Sequence, residues 1–336
     1  MLSGDLERAL RATSRSFYLS LRVLPEPLRV PLSVAYLLAR TADTIADTEA
    51  VAASERQALL ADFVQALHYA HEATALSERV AAHIRSPRAD ESALLAALPK
   101  AFAAYAALSG RDRSETQRVL TTLAQGMELD LARFAGPLAA LPTERALADY
   151  CYAAAGCVGE HWSLLLANHV PVLSVLASPD LLASGIGLGN GLQMINVLRD
   201  VPRDLAIGRC YLPEDLLHAH GLTPADLSDP AARVRARPLM RLLIARAVQL
   251  LDQAWPYVAA IPSRYARLRL AVVWPQWIGF ATLAALARAE DPLDPAQVIK
   301  ISRRHVYALM AESSALVRST RALHWAHRRH FASVPL

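Results

Sequence analysis

Four aspartates carry the first chemistry this sequence suggests. In PLSVAYLLARTADTIADTE, Tyr36, Arg40, Asp43 and Asp47 follow one another at intervals of four, three and four residues. On an α-helix that spacing lines them along one face, because eleven residues return to within about 20° of the starting angle. In GLGNGLQMINVLRDVPRD, Gln193, Asn196, Asp200 and Asp204 recur at three, four and four, with Arg199 directly before Asp200. Two carboxylates one turn apart can hold a hard cation such as Mg²⁺ between themselves and phosphate oxygens. Arg40 and Arg199 can then meet phosphate through directed hydrogen bonds. Neither set contains Cys or His, so a typical zinc site is disfavoured. One DxxxD alone is equally the polar face of an ordinary surface helix. Two such faces, each with an arginine and set among Leu and Ala, favour a metal and diphosphate site, since carboxylates turned into a bundle without cations would be costly.

The elements that must position these faces read as helices. Apolar periodicity and turn signals place them at about 2–23, 31–48, 54–71, 77–83, 91–107, 112–131, 143–169, 179–199, 232–258, 268–288 and 295–314. Sustained β alternation is absent, which disfavours an α/β nucleotide fold. Pro31 suits the first turn of the helix carrying Asp43. Pro202 should bend or end the other helix between Asp200 and Asp204. Asp204 is then expected in an opening loop that continues LAIGRCYLP, where Arg209 and Tyr211 either lie over the entrance or simply end a turn.

Composition supports one compact all-α unit over residues 1–336, with a tail after about 318 at its periphery. The 336 residues are 54% hydrophobic, and no Gly-, Ser- or charge-rich linker interrupts them. A formal charge of +4 without a basic block argues against nucleic acid. Cys151, Cys157 and Cys210 form no CxxC pair and read as reduced structural cysteines. The amino terminus shows no apolar secretion segment and no membrane anchor follows His330, so a cytoplasmic location is expected. The run 270–287, LAVVWPQWIGFATLAALA, is nearly long enough to span a bilayer, but Pro275, Gln276 and Gly279 favour a core helix or an apolar cavity wall.

The chain resembles the squalene/phytoene synthase family, the head-to-head isoprenyl diphosphate synthases. The resemblance rests on SRSF at 14–17, YLLARTADTIAD at 36–47, YCYAAAGCVG at 150–159, QMINVLRDVPRD at 193–204 and GRCYLP at 208–213, in the family's order. Arg203 and Pro202 depart from the family pattern beside the last aspartate. The resemblance implies an isoprenoid-synthase fold, a single helical bundle around a central apolar cavity. It places Asp43 and Asp47 in a first acidic motif and Asp200 and Asp204 in a second, all four as Mg²⁺ ligands. Tyr36, Arg40, Gln193, Asn196 and Arg199 match positions around the diphosphate, Ser16 and Phe17 match an early flap motif, and Tyr150 matches a substrate-lining catalytic position. Phe17 is equally an ordinary packing residue.

Within the family, WPQWIGFATLAALA and AQVIKISRRHVYALM look most like squalene synthases. Lys300, Arg303 and Arg304 then resemble a basic motif near an NADPH-dependent reduction, or merely begin a basic helix. The implied activity is a Mg-dependent farnesyl-diphosphate farnesyltransferase. It would condense two farnesyl diphosphates through presqualene diphosphate, with NADPH then reducing the product to squalene. Dehydrosqualene and phytoene synthases, which omit the reduction, are the enzyme alternatives, and a noncatalytic isoprenoid-binding subunit is the alternative of another class. An apolar product would give the chain a reason for peripheral contact with the cytoplasmic membrane face.

Overall fold

The computed structural model describes residues 2–22, 24–85 and 88–336, with backbone alone for 15–20 and 22. Helix accounts for 79% of the described residues, so the all-α expectation holds. The chain divides into two compact units, Met1–Ala135 with Leu164–Pro171, and Gly136–Ser163 with Val172–Leu336.

In the first unit run α1 (Gly4–Arg22), α2 (Glu26–Asp47), α3 (Ala53–His68), α4 (Glu72–His83), α5 (Ala89–Ala96), α6 (Leu98–Ala106) and α7 (Gly110–Arg133). α2 packs against α1, α3, α6 and α7 and fully buries Val34, Leu37, Leu38, Ala42 and Ile45. It begins five residues before the expected start. Pro27, not Pro31, occupies the first turn, where a missing N–H costs nothing, and Pro31 lies inside the helix. The predicted 91–107 helix is two helices, parted at Ala97 just before Pro99.

The second unit begins with β1 (Ala139–Leu141) and α8 (Glu144–Cys151). A π-helical turn, Tyr152–Gly156, separates α8 from α9 (Cys157–His169), so the expected continuous helix over 143–169 is interrupted inside YCYAAAGCVG. α10 (Pro179–Ala206) packs against this turn. A side chain at Gly159 would collide with the Gly185 carbonyl, and one at Gly189 with that of Ala155. The glycines of the α10 sequence therefore let two backbones touch. β2 (Arg209–Pro213) pairs in parallel with β1, and Gly208 enters it at φ +77°, a left-handed conformation that suits glycine. Then follow α11 (Glu214–Ala219), α12 (Pro230–Asp252), α13 (Trp255–Ala260), α14 (Ala266–Arg288), α15 (Arg303–Leu316) and α16 (Thr320–Ala332).

Three further sequence expectations change here. The 232–258 helix is α12 and α13, separated at Gln253 and Ala254. The segment 295–302 is not helical, and α15 starts at Arg303, where Ser302 caps it by accepting a hydrogen bond from the His305 N–H at 3.2 Å. Residues after 318 form α16, which packs on α14 and α15 and buries Leu323, Ala326 and His327. By length and composition α10 and Ser263–Arg288 could each cross a membrane. α14 nevertheless buries Trp277, Phe280 and Leu283 almost completely, and its fully buried Gln276 donates to the Leu251 carbonyl at 2.7 Å. Those are the marks of a core helix.

Candidate active site

The first acidic face is complete on α2. The buried Leu, Val and Ile residues fix the helix's orientation and leave Tyr36, Arg40 and Asp43 partly exposed, with Asp47 exposed at the C-terminal end. The Tyr36 hydroxyl donates to the Thr13 carbonyl of α1 at 2.9 Å, a contact that ties the two helices together. Arg40 is shared: one guanidinium nitrogen pairs with Asp43 and another reaches Glu91 at 3.0 Å. Glu91, on α5, also accepts an ion pair from Arg88 at 3.1 Å. Glu91 lies outside every motif recognised in the sequence, and only the folded chain reveals its place beside Arg40.

Charge is poorly balanced on this face. The Asp43 carboxyl is pushed up to about 6, first by desolvation and then by the Asp47 carboxylate one turn away. Arg40 opposes the rise, and Glu91 adds to it. A cation between the two carboxylates would relieve their mutual repulsion and offset the cost of desolvation.

The second face lies on α10. Against expectation, Pro202 does not stop the helix, which continues to Ala206 and keeps Asp204 one helical turn beyond Asp200. Leu198 and Val201, close to these aspartates in the sequence, are buried. Each such burial stabilises by about 1.5–3 kcal/mol, enough together to offset the roughly 3 kcal/mol cost of an internal proline. Arg199 grips Asp200 through two hydrogen bonds, 2.8 Å from Nε and 2.6 Å from Nη2. Those bonds raise the Arg199 pKa above its ordinary value.

One turn earlier on α10 a polar chain begins. Asn196 donates to Gln193 at 3.2 Å, and Gln193 donates to the Tyr150 hydroxyl oxygen at 3.1 Å. Tyr150 sits on α8 just before the π turn, a feature that often marks functional sites. Its ring lies 4.5 Å from that of Tyr211, tilted by 30°. Tyr211 is buried on β2 and packs on Tyr150, so it is an internal support as well as a candidate substrate contact. Arg209 begins the same strand and is partly exposed.

The remaining predicted residues are more dispersed. Lys300 lies exposed before α15, and Arg303 and Arg304 are exposed in its first turn. Ser16 and Phe17 fall on the α1 backbone, and their side chains lie outside the described ones. Cys151, Cys157 and Cys210 are free and buried, and burial pushes each thiol up to about 12, which keeps it protonated and unreactive. A cavity of about 570 Å³ lined from α3, α4, α6 and α7 contains none of the predicted site residues.

The donor set suits Mg²⁺. Among the described residues no group of three or more His, Cys, Asp or Glu is arranged to hold a metal, so neither face is an all-protein cage. Mg²⁺ commonly takes one or two carboxylates and completes its shell with water and substrate phosphate. A pair of carboxylates on each helix, with an arginine beside each, matches that demand.

The squalene/phytoene synthase family profile matches residues 10–305. The chain belongs to the squalene/phytoene synthase family. It is 30% identical to a bifunctional lycopene cyclase/phytoene synthase of Podospora anserina, over 77% of this chain and 43% of that protein. The chain thus spans about two fifths of such bifunctional relatives. It is also 30% identical to a presqualene diphosphate synthase of Rhodopseudomonas palustris, over 64% of each chain. In structure it is similar to a ligand complex of TcSQS, a squalene synthase, with a TM-score of 0.78, 22% identity, and coverage of 99% of this chain and 93% of that one. This family comprises head-to-head isoprenyl diphosphate synthases.

Proposed function

We propose that this enzyme condenses two farnesyl diphosphates through presqualene diphosphate and reduces the product to squalene. The observation that carries the metal and diphosphate part of this reading is the placing of Asp43 and Asp47 one turn apart on α2, a crowding that raises the Asp43 carboxyl. Such a pair favours a cation, and a diphosphate can complete that cation's shell. Bound Mg²⁺ would supply charge neutralisation for the departing pyrophosphate. Asp43 and Asp47 on α2, and separately Asp200 and Asp204 on α10, would each hold such an ion. Arg40 and Arg199 turn from their carboxylates toward phosphate oxygens as the donor's C–O bond breaks and its electron pair leaves with pyrophosphate. The acceptor's double bond then attacks the allylic cation, and a proton is lost as the cyclopropane ring closes. Tyr150 passes that proton toward the released pyrophosphate, with Gln193 and Tyr211 fixing its hydroxyl and ring. Presqualene diphosphate would then lose its own pyrophosphate, and hydride from NADPH would quench the rearranged cation, leaving NADP⁺. Lys300, just before α15, and Arg303 and Arg304 in its first turn are exposed cations whose chemistry fits the phosphates of NADPH.

Condensation without reduction is the second reading, and relatives named phytoene synthase and presqualene diphosphate synthase favour it. Purified protein incubated with C15 or C20 diphosphate and Mg²⁺, with and without NADPH, separates the readings. Squalene formed only with NADPH supports the first. Phytoene from the C20 substrate, or an unreduced C30 product, supports the second. Folded protein that binds substrate and releases no pyrophosphate would indicate a noncatalytic isoprenoid-binding role.

A further inference from the structure

The chain's net charge resides in its last helix and the turn before it. Against totals of 35 Lys and Arg and 31 Asp and Glu, residues 317–336 contain Arg318, Arg321, Arg328 and Arg329 and no acid, which leaves the rest of the chain balanced at 31 of each sign. On α16, Arg321, Trp325, Arg328 and Arg329 recur at i, i+4, i+7 and i+8, the spacing of one helical face. All four are exposed, Trp325 by 63%.

The opposite face fastens the helix to the protein. Leu323, Ala326 and His327 are buried, and the His327 ring packs against Trp255 and Phe280 while its Nε2 meets Asp252 at 2.8 Å. The acids that reach the arginines come from neighbouring helices. Arg328 meets Asp252 of α12 at 3.2 Å, and Arg329 pairs with Glu312 of α15 while lying over the Trp325 ring, 5.1 Å from its centroid. α16 and the turn before it thus present an exposed indole with Arg329 over its ring and Arg321 and Arg328 along the same face, while Arg318, in the turn, and Arg321 have no acidic partner among the described residues.

We propose that this face of α16 docks on the headgroup layer of an anionic lipid bilayer. Indole has an apolar body and a polar N–H and settles at the membrane interface. Arginines along the same face meet lipid phosphates, and basic residues near an anionic surface each strengthen attachment. Charge complementarity selects this occupant over a neutral surface, and the inference does not depend on which isoprenoid the enzyme makes.

The test is flotation of the full-length protein with phosphatidylcholine vesicles, with and without phosphatidylglycerol. Flotation is expected only with phosphatidylglycerol and should fall as salt rises. The indole emission should shift to the blue on binding, and Trp325→Phe should abolish that shift while leaving the fold intact by circular dichroism. Arg318→Gln combined with Arg321→Gln should weaken partitioning roughly twenty-five-fold, about five-fold per arginine, with turnover of a soluble short-chain substrate unchanged. No flotation, equal flotation with neutral vesicles, or unchanged partitioning of the double variant would each overturn the proposal.

Discussion

On α2 the Arg40 guanidinium is divided between Asp43 and Glu91, whereas on α10 that of Arg199 is committed to Asp200 through two hydrogen bonds. Both faces carry the same DxxxD spacing. They differ in how the first aspartate's charge is met. Asp43 has its carboxyl pushed up to about 6, because desolvation and Asp47 outweigh the share of Arg40 it receives. Asp200 has a counter-ion of its own. A cation therefore gains most on α2, while a diphosphate arriving at α10 must first draw Arg199 away from its partner. Matching spacing has produced one face short of positive charge and one supplied with it.

Turnover is the bluntest way to break this comparison. Asp43→Asn and Asp200→Asn are each expected to cut pyrophosphate release from farnesyl diphosphate by roughly a thousand-fold, the scale of lost metal-assisted charge stabilisation. Near-normal turnover in both would remove the metal assignment. On the α10 side, Tyr211→Leu should lower kcat about ten-fold with KM unchanged, by releasing the Tyr150 ring. Tyr211→Phe should retain activity, and in a Tyr150→Phe background the Tyr211→Leu loss should largely vanish. A full additional loss in that background would mean Tyr211 acts independently of Tyr150.

Smaller effects sharpen the contrast. Glu91→Gln removes a charge that raises the Asp43 pKa, so the acidic limb of the turnover profile should move down by roughly a few tenths of a pH unit. An unmoved limb would show that Glu91 does not act on Asp43. Stability should respond in opposite directions on the two faces. Because the Asp43 pKa is higher in the folded chain than its ordinary 3.8, ionising it penalises the metal-free fold as pH rises through about 6. Asp43→Asn should therefore stabilise the metal-free protein at neutral pH, by about 1 kcal/mol once solvent screening is allowed for at a side chain 42% exposed. The gain should fade as pH falls below 6. Asp200→Asn should instead destabilise at neutral pH by leaving Arg199 without its bidentate partner. Denaturant melts across pH check both signs.

Much of the helical order and both acidic faces were legible in the sequence, because periodicity and four-residue spacing are local properties. Glu91 was not, since it lies 44 residues beyond Asp47 in sequence on α5 and shares no helix with the residues it joins. Pro31 and Pro202 misled for the reverse reason. The local cost of proline is visible in the chain, while the burial of Leu198 and Val201 that offsets it at α10 comes from tertiary packing. The π turn at 152–156 likewise forms against α10, where Gly189 admits the Ala155 and Gly156 backbone. Nothing in YAAAG alone distinguishes it from continuous α-helix.

The inequality of the two faces can be read directly from the Asp43 carboxyl. Side-chain carbon NMR of the metal-free protein, assigned by difference from Asp43→Asn, should show this group titrating near 6. Mg²⁺ with pyrophosphate should then bring its titration down toward or below the ordinary 3.8. Titration at the ordinary carboxylate value before any metal is added, unchanged by Mg²⁺ and pyrophosphate, would contradict the claim that α2 is the face that demands a cation.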